Sequence, residues 1–419
     1  MAGRFEAVLL LGIGVGCSGG RAADVIRPDG GILLAVDAGP ADALGDGGAD
    51  GGAVDGGPPA APEVFLPAFH QALRWSELAP DPTTYRMRIP PGRAGDRVEV
   101  TFRSGDGPLA IAAATVATAG ADGALAGVPV PLTFAGQPGF TAGARALVTS
   151  DAAPLAVQFH QDVYVSFEAQ GNLAVSAVAL FPESYCEAGS HSLDASLAGQ
   201  VPHPQAIGVA TIEVEGAPSR VGIALGDSIT EGYVQSCVPW TPACGVPPDD
   251  YRNCWTYVAE GLLGWPVLNA AVSGQDAETG LANLGQEVLA VPGLTDSMTL
   301  LGTNDLGGSD TPQDIENVLA QIYQALAPVS RVWGVTLPPK DPADPDLAVI
   351  QAELTAVDGW LRGGTAPVAG LLDFESVLWA SPTDPVDYAP GLGEDGIHPT
   401  VEGQRLLGEY TALKLAGAN

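Results

Sequence analysis

Residues 221–232, VGIALGDSITEG, restrict this chain more than any other stretch. The first five, from Val221 to Leu225, carry no charged or hydroxyl side chain, and their run has the length and composition of a buried strand. Gly226, Asp227 and Ser228 follow at once. A serine placed where a strand ends and a helix begins sits at a mouth, with its backbone N–H aimed outward from the helix start. A developing negative charge can be met there. A hydroxyl nucleophile also needs a base, and the base needs a group to orient it.

The chain has 5 histidines, and four of them (His70, His160, His191 and His203) precede the serine. Only His398 follows it, within EDGIHPT, with Asp395 three residues earlier. That spacing lets a carboxylate accept from one ring nitrogen while the other faces outward to take a proton. His70, His160, His191 and His203 are too scattered to suggest a metal site, and no metal or other cofactor is expected.

From about residue 218 onward, apolar runs alternate with helical patterns. Residues 266–272, 297–302, 331–337 and 368–374 read as strands, and residues 255–263 read as a helix. A clear helix begins at Thr311, a natural N-cap, with Pro312 at its first position and Ile315, Val318, Leu319, Ile322 and Leu326 on one face. A last helix starts near Thr400. The pattern predicts a doubly wound α/β unit with a parallel sheet, whose ligands bind beyond the carboxyl ends of the strands.

Gly226-Asp227-Ser228 together with Asp395-x-x-His398 resembles the GDSL, or SGNH, hydrolase superfamily. Two further positions match that family in order: Gly274 in NAAVSG and Asn304 in GTND, each just after a strand-like run. The resemblance implies a flavodoxin-like three-layer fold and a serine esterase. Ser228 would be the nucleophile, His398 the base and Asp395 its orienter. The N–H groups of Ser228 and Gly274 and the amide of Asn304 would form the oxyanion hole. The G-x-S-x-G elbow of α/β-hydrolases is not formed, because Thr230 stands at its second glycine.

Before residue 218 the period changes to two. Tyr85, Met87 and Ile89 alternate with Arg86 and Arg88, and Val163, Val165 and Phe167 alternate with Tyr164, Ser166 and Glu168. Residues 63–217 are therefore expected to form an all-β, jelly-roll-like sandwich with one face of each sheet buried. Phrases at 101–109 and 132–136 resemble the front part of a two-domain branch of secreted GDSL esterases. Gly105-x-Gly107-x-x-Ala110 fits a dinucleotide pattern, but Pro108 follows the second glycine and no helix follows, so it carries no nucleotide site.

Arg4, an apolar run over residues 7–16 and Cys17 resemble a lipoprotein signal, with an ordinary secretory signal as the alternative. Residues 18–62 are rich in Gly, Ala, Asp and Pro and read as an acidic tether. The remaining cysteines, Cys186, Cys237, Cys244 and Cys254, fit two disulfides in an oxidising compartment; metal ligation is the rival reading. The loop over 234–254, with Trp240, Tyr251 and nearby Trp255, is expected to wall the substrate pocket.

A net charge of −32 supplies no basic stripe for nucleic acid. No apolar stretch reaches the roughly 18 to 20 residues that span a bilayer, so membrane contact is expected through a lipid anchor alone. The sequence predicts a monomeric envelope or extracellular esterase acting on acetyl or short-chain esters, acetylated polysaccharide among them. The alternatives are a non-catalytic glycan-binding lipoprotein and, among enzymes, a lipase or lysophospholipase.

Overall fold

A computed structural model describes residues 63–234, 249–340, 347–381 and 384–418. The signal segment with Cys17, the acidic tether, Cys237, Trp240 and Cys244 lie outside the described residues.

Ten strands come first: β1 (Val64–His70), β2 (Trp75–Ile89), β3 (Arg97–Thr118), β4 (Val130–Pro131), β5 (Phe140–Ala142), β6 (Leu147–Thr149), β7 (Val163–Val175), β8 (Tyr185–Ala188), β9 (Val201–Pro202) and β10 (Val209–Gly216). They form one sheet in the order β1-β10-β3-β7-β2-β8-β9, with β4, β5 and β6 added along β3. Every pairing is antiparallel. The 22-residue β3 is what makes the sheet continuous. Its first half pairs with β10, its register breaks between Ser104 and Leu109, and its second half runs along β7. Such a break bends and twists a strand, so the sheet curls on itself.

The alternation places Tyr85, Met87, Ile89, Val163, Val165 and Phe167 in the core, as their period requires. The opposite face of these central strands is not open to water, contrary to expectation: Arg86, Tyr164 and Ser166 are wholly buried. Loops cover that face and supply the partners that a buried guanidinium needs. Arg86 donates to the Ser166 hydroxyl at 2.9 Å and to the carbonyls of Gly123 at 2.8 Å and Asp194 at 2.6 Å.

The second half carries β11 (Gly222–Gly226), β12 (Val267–Asn269), β13 (Asp296–Leu300), β14 (Arg331–Val335) and β15 (Gly370–Leu372) in one parallel sheet of order β12-β11-β13-β14-β15. In chain order this is 2-1-3-4-5, the flavodoxin-like arrangement. A small hairpin, β16 (Trp379–Ser381) with β17 (Asp384–Tyr388), lies apart. The helices are α1 (Ser228–Glu231), α2 (Trp255–Leu263), α3 (Ala277–Glu287), α4 (Pro312–Leu326), α5 (Leu347–Arg362), α6 (Phe374–Leu378) and α7 (Val401–Ala416). β11 and β13 are buried at every residue, as strands covered on both faces must be. α4 starts as its sequence dictates: Thr311 and Asp314 form a capping box and Pro312 opens the helix.

The two sheets meet. Gln71, just after β1, bridges in parallel to Asn269 at the end of β12. Tyr251 and Cys254, from the segment before α2, are buried in the apolar core of the N-terminal sheet. Tyr251 stacks on Phe181 at 5.2 Å, and its N–H donates to the carbonyl of Leu180 at 2.7 Å.

Candidate active site

Ser228 ends up where β11 stops because Asp227 turns the chain there. The Asp227 side chain is the N-cap of α1 and accepts from the Ile229 N–H at 2.9 Å. α1 lasts one turn and closes at Gly232, whose φ of 105° favours glycine. A Cβ at that position would also stand 2.0 Å from the Cys254 sulfur.

The hydroxyl of Ser228 lies 2.8 Å from Nε2 of His398. His398 Nδ1 lies 2.8 Å from Oδ2 of Asp395. The other oxygen of Asp395 accepts from the N–H groups of Ile397 at 2.9 Å and His398 at 2.8 Å. Burial alone would raise the Asp395 carboxyl, but hydrogen bonds from the His398 ring and from both backbone N–H groups hold it below the usual carboxylate range. Ser228 and His398 each keep 8% of their surface exposed, so the relay is packed yet reachable. Such a chain can move a proton from hydroxyl to imidazole and stabilise the imidazolium that results.

β12 and β13 flank β11, so the loops leaving all three strands open at the same end of the sheet. Gly274 follows β12, is exposed and has φ of 79°. A Cβ there would meet nothing within 4 Å, so its glycine answers to backbone conformation and not to crowding. Asn304 follows β13, is exposed, and donates from Nδ2 to the carbonyl of Gln275 at 3.0 Å. Asp305 beside it is buried and takes the Ala277 N–H of α3; burial pushes its carboxyl up to about 6.

A model of the GDSL-like lipase/acylhydrolase family matches residues 224–406. These residues form a GDSL-like lipase/acylhydrolase domain. No curated protein matches the chain. Among solved structures, the lipase/acylhydrolase from Enterococcus faecalis is 21% identical, with 47% of this chain and 96% of that chain covered and a TM-score of 0.37. A GDSL-like lipase from Bacteroides thetaiotaomicron VPI-5482 is 15% identical, with 48% and 89% covered and a TM-score of 0.36. A member of the lipolytic protein G-D-S-L family from Veillonella parvula DSM 2008 is 18% identical, with 48% and 100% covered and a TM-score of 0.34.

Several residues that support the relay of this GDSL-like domain carry no signal at their own positions. Lys340, one of the two lysines in the chain, is buried. It donates to the carbonyl of Ile397 at 3.4 Å, and the Tyr388 hydroxyl donates to the same carbonyl at 2.8 Å. Together they hold the turn that presents His398. Burial lowers the Lys340 ammonium to about 8, against the opposing pull of Asp227 and Asp395. Tyr233 sets its ring edge-on to the His398 imidazole at 4.8 Å. The rarity of lysine in an acidic chain was the one clue to Lys340.

Two expectations need correction. Cys254 is not a disulfide candidate: it is a free, buried thiol whose Sγ donates to the carbonyl of Glu231 at 3.3 Å. Its position under the Gly232 turn makes it a packing residue. Cys186 is buried in the apolar core of the N-terminal sheet. Tyr251 and Trp255 do not wall a pocket. Both are buried, and Trp255 packs edge-on against Phe374 at 5.3 Å. Among the described residues no group of three or more His, Cys, Asp or Glu side chains could hold a metal.

Proposed function

We propose that this chain is a serine esterase, hydrolysing carboxylic esters through an acyl-enzyme on Ser228. The observation that carries the reading is the continuous relay from the Ser228 hydroxyl through His398 to Asp395, with both links at 2.8 Å. His398 removes the proton as Ser228 attacks the carbonyl carbon. Its imidazolium returns that proton to the leaving alcohol. A water molecule, deprotonated by the same ring, then releases the acid. The oxyanion would be held by the N–H groups of Ser228 and Gly274 and the amide of Asn304, each such donor being worth about 10² to 10³ in rate. Asn304 has a second amide hydrogen left for this after its bond to Gln275.

Acetyl or short-chain esters of extracellular carbohydrate are the substrates we favour, at an envelope or cell surface reached through an acylated Cys17 and the tether of residues 18–62. An intact relay gives no support to a purely glycan-binding role. Hydrolysis of p-nitrophenyl acetate tests the assignment: Ser228→Ala should remove turnover above background while leaving the melting temperature close to that of the parent. Equal rates in the two proteins would refute it. A panel of esters from acetyl to palmitoyl, with acetylated xylan, then reads the substrate class.

A further inference from the structure

Glu231 is the last residue of α1, three positions after Ser228. Only 1% of its surface is exposed. One carboxylate oxygen accepts from the backbone N–H of Ser273 at 2.6 Å and from the Ser273 hydroxyl at 2.7 Å. The other accepts from the N–H of Val178 at 3.3 Å. Burial pushes this carboxyl up to about 7, against the pull of those donors, so its charged form is costly here. An apolar side chain of similar volume would avoid that cost.

The two ends of this bridge belong to different parts of the molecule. Val178 lies in the loop after β7 of the N-terminal sheet, whereas Ser273 immediately precedes Gly274. On the far side of Gly274, Gln275 is tied by its own N–H to the carbonyl of Val272 at 3.0 Å and by its amide to the carbonyl of Gly226 at 3.0 Å. Among the described residues no side chain anchors Gly274 itself, so the direction of its N–H depends on the residues to either side.

We propose that Glu231 is a positioning residue: by gripping Ser273 it holds the Gly274 N–H on the carbonyl oxygen under attack, and the N-terminal sheet braces it through Val178. The proposal rests on the reading of Ser228 as nucleophile and Gly274 as oxyanion donor. Displacing a reacting group or donor by about 1 Å can cost up to about 10²-fold in rate.

The test uses the full chain and p-nitrophenyl acetate, with kcat, KM and melting temperature measured for Glu231→Gln, Glu231→Ala, Ser273→Ala and the Glu231→Ala/Ser273→Ala pair. Ser228→Ala and Asn304→Ala are run beside them. The Glu231 variants should lower kcat by about 10- to 100-fold with KM nearly unchanged, because the donor acts on the transition state. Ser273→Ala keeps its backbone N–H and should lose less, about 3- to 10-fold, again in kcat. The double variant should be no worse than Glu231→Ala alone, since both act through one contact. Folded Glu231 variants with full kcat, or effects that simply multiply in the pair, would overturn the proposal. If the Glu231 variants do not fold, an unchanged kcat in Ser273→Ala overturns it. Turnover surviving in Ser228→Ala would instead sink the esterase assignment beneath it. Turnover lost in Ser228→Ala and slowed in Asn304→Ala, with Glu231 variants at full speed, sinks this inference alone.

Discussion

Two carboxylates near Ser228 are perturbed in opposite directions, and each perturbation has its own consequence. Asp395 is held below the usual range by three N–H donors, so it stays ionised wherever the imidazole is a working base. Replacing it by asparagine keeps the shape but removes the charge that stabilises the imidazolium. We expect Asp395→Asn to fold and to lower kcat by about 10³ to 10⁴, read with p-nitrophenyl acetate. Glu231 has the opposite sign. Its carboxyl is raised from 4.5 to about 7 by burial, so between those values the folded chain binds more protons than the unfolded chain. Its contribution to stability therefore falls as pH rises through that window. Glu231→Gln has no such titration. Between pH 5 and 8, urea unfolding should show the stability difference moving in favour of Glu231→Gln by on the order of 2 to 3 kcal/mol. An unchanged difference would mean that the carboxylate is already ionised at pH 5.

α7 fastens the short α1 that carries the nucleophile. Gln404 is wholly buried; its amide donates to the carbonyl of Ile229 at 2.8 Å, and its oxygen accepts from the N–H of Trp255 at 3.0 Å. A helix of one turn has little stability of its own, so such a tie decides whether it stays formed. Gln404→Leu would leave one buried acceptor and one buried donor unmet, costing about 2 to 4 kcal/mol, and should lower kcat as α1 loosens. Thermal unfolding and turnover measured together check both effects. The elements around this tie were readable from sequence in proportion to how local their causes are. β11, β13 and α4 follow from apolar runs and a cap within a few residues, and the strand ends bearing Ser228, Gly274 and Asn304 followed with them. Gln404 and Glu231 could not be read that way, because their partners lie in distant elements. Arg86 failed for the same reason: alternation predicts a face, but loops from residues 121–124 and 192–195 arrive to cover it. Cys254 failed because an even count of cysteines says nothing about which are buried apart.

The two sheets share ion pairs and hydrogen bonds as well as apolar surface. Arg103 of β3 meets Glu287 of α3 at 2.8 Å, His160 meets Glu260 of α2 at 2.7 Å, and Asp162 meets Arg252 at 3.0 Å. Arg74 also reaches Glu287 at 3.1 Å; neighbouring His70 is lowered to about 3 by burial and by Arg103, and so adds no charge at neutral pH. These polar groups are satisfied across the contact between sheets. Separating the halves would leave Glu287 without its two arginines and Glu260 without its bond to His160, and would bare Tyr251, Cys254 and the end of β12. Uncompensated buried charge and exposed aromatic surface are each strongly unfavourable. The segment spanning residues 218–419 expressed alone should therefore unfold without cooperativity or aggregate, even though it holds the whole parallel sheet and all three members of the relay. Circular dichroism melts and size-exclusion profiles of the fragment and the full chain make the comparison. A fragment that melts cooperatively and turns over p-nitrophenyl acetate at the parent rate would show that the N-terminal sheet is an appendage. It would also remove the brace at Val178 from any account of how the oxyanion loop is held.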